Sequence, residues 1–165
     1  MGGIVILSAT KGKNWAIAEL FAKEVRASGQ EATLIDLTEL NLPLYTNESD
    51  LAGLEHPAFE SMNQKMIDAK GLIVCAPEYN GSIPPTLVNF VAWMSTRSNN
   101  FRAHYNGKPV ALASHSGGGG HNLMTSMRIM FSHLGANVMG RVMVVNKAKP
   151  LNPETLKSLV QGVIA

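Results

Sequence analysis

Residues 8–14 combine chemical groups that together could bind an anion. The segment reads Ser-Ala-Thr-Lys-Gly-Lys-Asn and follows a short apolar run, so it brings hydroxyl, amide and ammonium groups together with a glycine. Backbone N–H groups at a helix N-terminus attract anions, and Ser or Thr hydroxyls can complete the oxygen shell. The segment therefore predicts a phosphate site, although a polar helix cap with solvated lysines fits its composition equally well.

Two familiar phosphate-binding motifs do not match this segment. A P-loop requires glycine where Leu7 stands, five positions before Gly12, and Ser or Thr where Asn14 stands. The Gly-x-Gly-x-x-Gly pattern of dinucleotide-binding folds is also absent from the chain. A dinucleotide as the primary ligand of this segment is therefore disfavoured.

A second segment, residues 77–84, reads Pro-Glu-Tyr-Asn-Gly-Ser-Ile-Pro and predicts a rigid turn. Proline stiffens both ends, and Asn80-Gly81 supplies the two positive-φ positions that a tight turn requires. Such a turn can present backbone N–H and C=O groups to the polar edge of a flat heterocycle, with Tyr79 as an apolar wall. A well-formed turn without a ligand is the alternative.

The third segment, residues 114–120, reads Ser-His-Ser followed by four glycines. Glycine lets a backbone come close to a ligand because no Cβ intervenes. Hydrolysis by a Ser-His pair is disfavoured, since neither serine has the flanking glycines of a nucleophile elbow and no aspartate stands in an obvious triad order.

Apolar runs alternate with amphipathic stretches along the chain, which is typical of βαβ units around a parallel sheet. Five strands are predicted, the last with Gly140 as a potential break: residues 3–7, 31–37, 71–76, 109–114 and 137–145. Helices are predicted at about residues 14–29, 57–70, from 84 or 85 onward, from the glycines to 134, and 152–163. Residues 38–57 are predicted as a loop that serves as a lid or a subunit contact. Ligands of such sheets bind outside the carboxyl ends of the strands, where the three segments lie.

Composition limits the classes of function. The 165 residues, at about 150 per domain, predict one domain over residues 1–165. A net charge of +2 with only 16% charged residues disfavours nucleic-acid binding, and no apolar run is long enough for a membrane span. The histidines show no zinc-ligand spacing, so no metal is expected. The single cysteine, Cys75, is expected to be a buried apolar residue, and we expect a soluble, cytoplasmic protein.

Residues 77–90 resemble the P-E-Y-N-x-S-x-P-x-x-L-K-N segment of the NADPH-dependent FMN reductase family, with Val88 in place of the usual lysine. Asp36-Leu37 followed by residues 42–45 is similar to the family's segment after its second strand, and residues 116–120 to its glycine-rich loop. The resemblance covers residues 3–145. It implies a flavodoxin-like three-layer fold, in which a five-stranded parallel sheet of order 2-1-3-4-5 has helices on both faces.

The resemblance also implies FMN as the cofactor. The family's phosphate loop, G-S-x-R-x-x-S-x-N, is matched at Ser8 and Asn14 only, and Lys11 or Lys13 could supply the missing charge and Thr10 the missing hydroxyl. By this resemblance three groups of residues bind FMN, at its phosphate, at one edge of its ring and at the other polar side: Ser8, Thr10, Lys11 and Asn14; Pro77, Glu78, Tyr79, Asn80 and Gly81; Ser116, Gly117 and Gly118.

The implied activity is transfer of a hydride from NADPH or NADH to flavin N5, and then of electrons to a free flavin, a quinone, an azo compound or a metal oxyanion. Since the flavin supplies the redox chemistry, no catalytic side chain is assigned. The alternatives are a flavodoxin-like electron carrier, which the charge of +2 disfavours, and an interaction module without flavin.

Further expectations concern partners. The resemblance implies a homodimer or homotetramer, in which Glu78 either caps local N–H groups or pairs across a subunit boundary. No motif recognises the 2′-phosphate that distinguishes NADPH from NADH. Arg97, Arg102 and Lys108 are the candidate cations for it.

Overall fold

The computed structural model describes residues 2–53 and 55–165. Met1, at the start of the predicted domain, and Leu54, in the predicted loop, lie outside the described residues. The strands are β1 (Ile4–Ser8), β2 (Ala32–Asp36), β3 (Gly71–Cys75), β4 (Pro109–His115), β5 (Asn137–Val138) and β6 (Met143–Val145). The helices are α1 (Lys13–Ala27), α2 (Asn47–Leu51), α3 (Pro57–Asp68), α4 (Pro85–Ser95), α5 (His121–His133) and α6 (Pro153–Ile164).

All pairs in the sheet are parallel, and the strand order is β2-β1-β3-β4-β5, with β6 also paired to β4. The predicted order is confirmed. The predicted fifth strand is divided into β5 and β6, which correspond to its two ends on either side of Gly140. The carbonyl oxygens of Val138 and Gly140, where the chain leaves the ladder, accept hydrogen bonds from the Arg128 guanidinium. An arginine on α5 thus provides the hydrogen bonds for the break.

Helices cover both faces of the sheet, so the fold has the three layers that were predicted. Successive residues of β1 alternate between the faces: Ile4 and Ile6 pack in one core, and Val5 and Leu7 in the other. Helices α1 and α6 fill the first core, and α3, α4 and α5 fill the second. Since β1 and β3 are buried at every residue, they read as continuous apolar runs.

The segment between β2 and α3, predicted as a loop, contains the short helix α2. Thr46 begins it with a capping box, in which its side chain and that of Ser49 each accept from the other's backbone N–H. Five residues without a buried side chain carry no periodicity, so the sequence did not indicate this helix. The segment is fixed to α4, because Pro43 O accepts from both Trp93 Nε1 (2.7 Å) and Asn89 Nδ2 (2.9 Å).

Within residues 2–53 and 55–165, no helix is both long enough and apolar enough to span a bilayer. Two methionines of α5, Met124 and Met127, are buried in the core.

Gly71 is where we expect a single methyl group to be costly. A Cβ there would lie 2.6 Å from Val163 Cγ1 and 3.0 Å from Val163 O, on a helix packed against the sheet. Gly71→Ala should therefore destabilise the protein by about 1–3 kcal/mol, because the backbone of α6 must shift. Urea denaturation measures the loss.

Gly140→Ala is the matched control. Its added Cβ meets no heavy atom of the described chain within 4 Å, so the stability should change by less than about 0.5 kcal/mol. Equal effects of the two substitutions would contradict the packing described for α6.

Candidate functional site

The three segments singled out above lie side by side at one edge of the sheet. Ser8 at the end of β1 is in register with Cys75 at the end of β3. Beyond these ends, Ala9 N donates to Cys75 O (2.9 Å) and Ala76 N to Ala113 O (3.1 Å). The backbone ladder thus continues into the segments and fixes their mutual positions.

Asn14 ties the first segment to the third. Its Nδ2 donates to His115 O (3.2 Å), and His115 N donates to its Oδ1 (2.7 Å), so the amide satisfies both backbone groups of that residue. The side chain is 4% exposed. In the structure Asn14 therefore holds the start of α1 against the end of β4.

The start of α1 offers backbone N–H groups to an anion. Gly12 precedes the helix with φ +79°, and no side chain among the described residues caps the helix there. The first N–H groups of a helix have no intrahelical partner, and the helix dipole favours negative charge beside them. This geometry could bind a phosphate.

The side chains of the first segment are placed around this helix start. Ser8 Oγ donates to Thr10 O (2.8 Å), and the Ser8 side chain is fully buried. Lys11 forms an exposed ion pair with Glu39, beyond β2, and Thr10 is half-buried. The ammonium of Lys11 is therefore turned toward the β2 side of the segment.

The second segment forms the predicted rigid turn. Tyr79 and Ser82 exchange backbone hydrogen bonds of 3.1 and 2.9 Å, and between them Asn80 and Gly81 have φ of +52° and +70°. Two positive φ values in a two-residue hairpin correspond to a type I′ turn. Tyr79 is 47% exposed.

Glu78 connects the second segment to α5. Its Oε2 accepts from Leu123 N (3.3 Å) in the first turn of that helix, where a negative charge is favourable. Glu78 thus caps an N–H group of α5, which is one of the two roles predicted for it. Pro77, just before it, is half-buried after β3.

The glycine segment is open on one side. A Cβ added at Gly117 or Gly118 meets no heavy atom of the described residues within 4 Å. Ser116 is 5% exposed, and its Oγ accepts from Gly118 N (3.3 Å) within the segment. Gly118 O in turn accepts from Asn146 Nδ2 (3.0 Å). The outer face of this backbone can be approached closely by a ligand.

Two residues that hold the site together were missed by the sequence analysis. Thr86 Oγ1 donates to Ala9 O (2.7 Å), which joins α4 to the first segment. Asn146, after β6, braces Gly118 as described above. Thr86 lies within residues 77–90, so the family-like segment contained its signal, whereas no local pattern marks Asn146.

Cys75 is fully buried at the end of β3, as predicted, and burial raises the pKa of its thiol. A thiol in this state stays protonated and does not act as a nucleophile. Among the residues described, no cluster of three or more potential metal ligands was found.

Two cavities flank the segments. One of about 470 Å³ lies on the β2 side and is lined by Lys11, Gly12, Trp15, Asp36 and Glu39. The other, of about 260 Å³, lies between the glycine segment, α5 and the chain around β6. The site is thus a broad edge with a recess at each end.

Known proteins resemble this chain over most of its length. The model of a family described as NADPH-dependent FMN reductase matches residues 3–150. The NADPH azoreductase of Bacillus sp. (strain OY1-2) is 27% identical over 172 residues, covering 94% of this chain and 89% of that protein. The quinone reductase of Escherichia coli (strain K12) is 30% identical over 167 residues, covering 95% and 84%.

A solved structure supports the fold. The flavoenzyme NAD(P)H:(acceptor) oxidoreductase FerB from Paracoccus denitrificans has a TM-score of 0.75 with this chain, covering 99% of it and 98% of its own chain at 16% identity. The predicted flavodoxin-like fold is confirmed by this match and by the strand order. The predicted family and its cofactors are confirmed by the family model. The chain belongs to the NADPH-dependent FMN reductase family and is an NAD(P)H-dependent oxidoreductase with FMN as its cofactor.

Proposed function

We propose that this protein uses FMN, held across the three segments, to reduce small flat acceptors with NADPH or NADH. The observation that carries the proposal is the convergence of an uncapped helix start, a rigid hairpin and an open glycine backbone at one sheet edge. When bound, FMN accepts a hydride from the nicotinamide at N5 and passes electrons to the acceptor. The protein supplies binding and position.

The phosphate of FMN belongs at the start of α1. The unpartnered N–H groups after Gly12 provide the anion site, and Ser8, Thr10 and Asn14 surround or position it. Lys11 contributes charge from the β2 side, where it is paired with Glu39. This site depends on backbone N–H groups and the helix dipole more than on cationic side chains.

The ring of FMN belongs between the hairpin and the glycine segment. Residues 77–81 present backbone groups held by the Tyr79–Ser82 pairing, and Tyr79 offers an exposed aromatic face. On the other side, Ser116 is followed by Gly117 and Gly118, whose backbone no Cβ shields. Ser116 N donates to Val145 O and Gly118 N to Ser116 Oγ, so among these three residues the N–H of Gly117 is the group that would stabilise negative charge on the reduced ring.

The acceptor class follows from the relatives and the openness of the site. Two relatives are named for the reduction of azo compounds and of quinones. We infer that quinones and azo compounds are the first acceptors to test, followed by free flavin and metal oxyanions. An open edge accepts them on the face that the nicotinamide has left.

We also infer a homodimer or homotetramer. Leu44 and Leu51, on the segment fixed to α4, are 74% and 88% exposed, and Val88 on α4 is 47% exposed. Apolar surface of this kind is commonly covered in an assembly. A cytoplasmic location is consistent with the single, unpaired cysteine.

Anaerobic reduction tests the proposed activity. The protein loaded with FMN should lose its visible flavin absorbance within seconds of adding NADPH, and a quinone should restore it over repeated cycles. FMN without protein is the control. Bound FMN that is not bleached by NADPH or NADH would indicate an electron carrier, and no FMN binding at saturating concentration would exclude both functions.

Gly81→Val tests the placement of the ring. A β-branched residue at φ +70° is strained by about 1–2 kcal/mol, and the new Cβ would lie 3.3 Å from Asn122 Nδ2. We expect the hairpin to shift and the folded variant to lose bound FMN, as measured by its visible spectrum.

Gly29→Val is the matched control for backbone strain. Gly29 has φ +77° after α1, and its Cβ would meet no heavy atom of the described chain within 4 Å. This variant should be destabilised similarly but remain yellow. A Gly81→Val protein with full flavin content would refute the placement.

A further inference from the structure

Of the three cations considered for the nucleotide phosphate, Arg97 and Lys108 are engaged elsewhere. Arg97 forms an ion pair with Asp50 (3.3 Å) and stacks on Trp93 (5.2 Å from its ring centre). Lys108 Nζ donates to the carbonyl oxygens at the end of α3 (2.5 and 2.6 Å), and burial lowers its pKa to about 8. Arg102 lies over the ring of Phe101. Arg97 and Lys108 are therefore not free to bind a nucleotide phosphate.

The charges of the chain are strongly segregated. Residues 79–153 contain seven Lys or Arg and no Asp or Glu, whereas residues 1–78 contain eleven of the twelve acidic residues. Residues 79–153 form α4, β4, α5, β5 and β6, which is the half of the sheet opposite β2. The net charge of +2 conceals a basic half beside the glycine segment.

Within the basic half, Val145 and Asn146 are hydrogen-bonded to the glycine segment, and the residues around them, 141–149, continue along β6 beside β4. Ser116 N donates to Val145 O (3.1 Å), and Asn146 Nδ2 donates to Gly118 O. Asn146 Oδ1 also accepts from Lys149 N (2.8 Å), which shapes the turn after β6. We call residues 141–149 the basic segment, because it carries Arg141, Lys147 and Lys149.

Cavities lie on both sides of the basic segment. The 260 Å³ cavity next to the glycine segment is lined by Gly119, His121 and Lys149, among others. A second cavity, of about 190 Å³, is lined by Arg141 and again by Lys149. No ion pair to these two cations occurs among the residues that the structure describes.

We propose that Arg141 and Lys149 bind the 2′-phosphate of NADPH and so favour it over NADH. The inference rests on the proposed function, in which the nicotinamide lies over the ring beside the glycine segment. With the FMN phosphate at α1, the adenosine end of the nucleotide extends the opposite way, toward β6. There it meets cations without acidic partners, and a dianionic phosphate between Arg and Lys gains charge-assisted hydrogen bonds.

Binding of nucleotide fragments tests the proposal on the FMN-loaded protein. Adenosine 2′,5′-bisphosphate carries the 2′-phosphate, and adenosine 5′-monophosphate lacks it. Calorimetry should give about tenfold tighter binding of the bisphosphate, as expected for one or two charge-assisted contacts. The double variant Arg141→Gln, Lys149→Gln should lose this preference, and its KM for NADPH should rise while its KM for NADH stays constant.

Lys23→Gln with Arg26→Gln on α1 is the matched control, since it removes the same two charge types from the other half of the chain. This variant should keep the preference. A wild type without preference, or a double variant that retains it, would overturn the proposal. If the double variant oxidises NADPH and still prefers the bisphosphate, only the phosphate site is refuted. If the wild type prefers the bisphosphate but neither NADPH nor NADH reduces its flavin, only the proposed function is refuted.

Discussion

Parallel pairing in register is the constraint on which the site depends. Ser8 pairs with both Asp36 and Cys75, and β4 pairs with β3, so the segments that leave these strands begin at one edge. Parallel strands that are neighbours need a connection that crosses back over a face, and the chain therefore begins helices α1, α4 and α5 after β1, β3 and β4 at that edge. Ladder bonds of Ala9 and Ala76 extend the pairing past the strands. The site is the continuation of the sheet.

The helices that begin at the site differ from the others in how their N-termini are capped. Helices α2, α3 and α6 are each capped by the side chain of the residue before them, which accepts a hydrogen bond from a backbone N–H of the first turn. These capping residues are Thr46, His56 and Asn152. The three helices that begin at the site are not capped in this way: Gly12, Pro84 and Gly120 precede α1, α4 and α5. An N-cap side chain is worth about 1 kcal/mol, so its absence has a cost in stability. For α1 the same absence leaves N–H groups free for an anion, while α5 receives Glu78 from the neighbouring hairpin.

Local patterns explain which features the sequence could predict. Buried strands such as β1 and β3 read as apolar runs, and Asn80-Gly81 specified its turn because few residues accept positive φ. Long-range side-chain contacts have no local pattern. Asn14 was expected beside a phosphate, yet its amide binds the backbone of His115, 101 residues away. The Lys11–Glu39 ion pair likewise joins segments that only the fold brings together.

The distribution of charge is a second feature that composition alone did not predict. A low net charge indicated a weakly charged surface, and this holds as an average over two halves of opposite sign. The fold separates the halves, because β2 and β6 lie at opposite ends of the strand order. A nucleotide with several phosphates is then attracted to the end that carries Arg141, Lys147 and Lys149, over the Debye length of roughly 10 Å. This attraction agrees with the proposed site, in which the nucleotide phosphates lie toward β6 and the nicotinamide toward the hairpin.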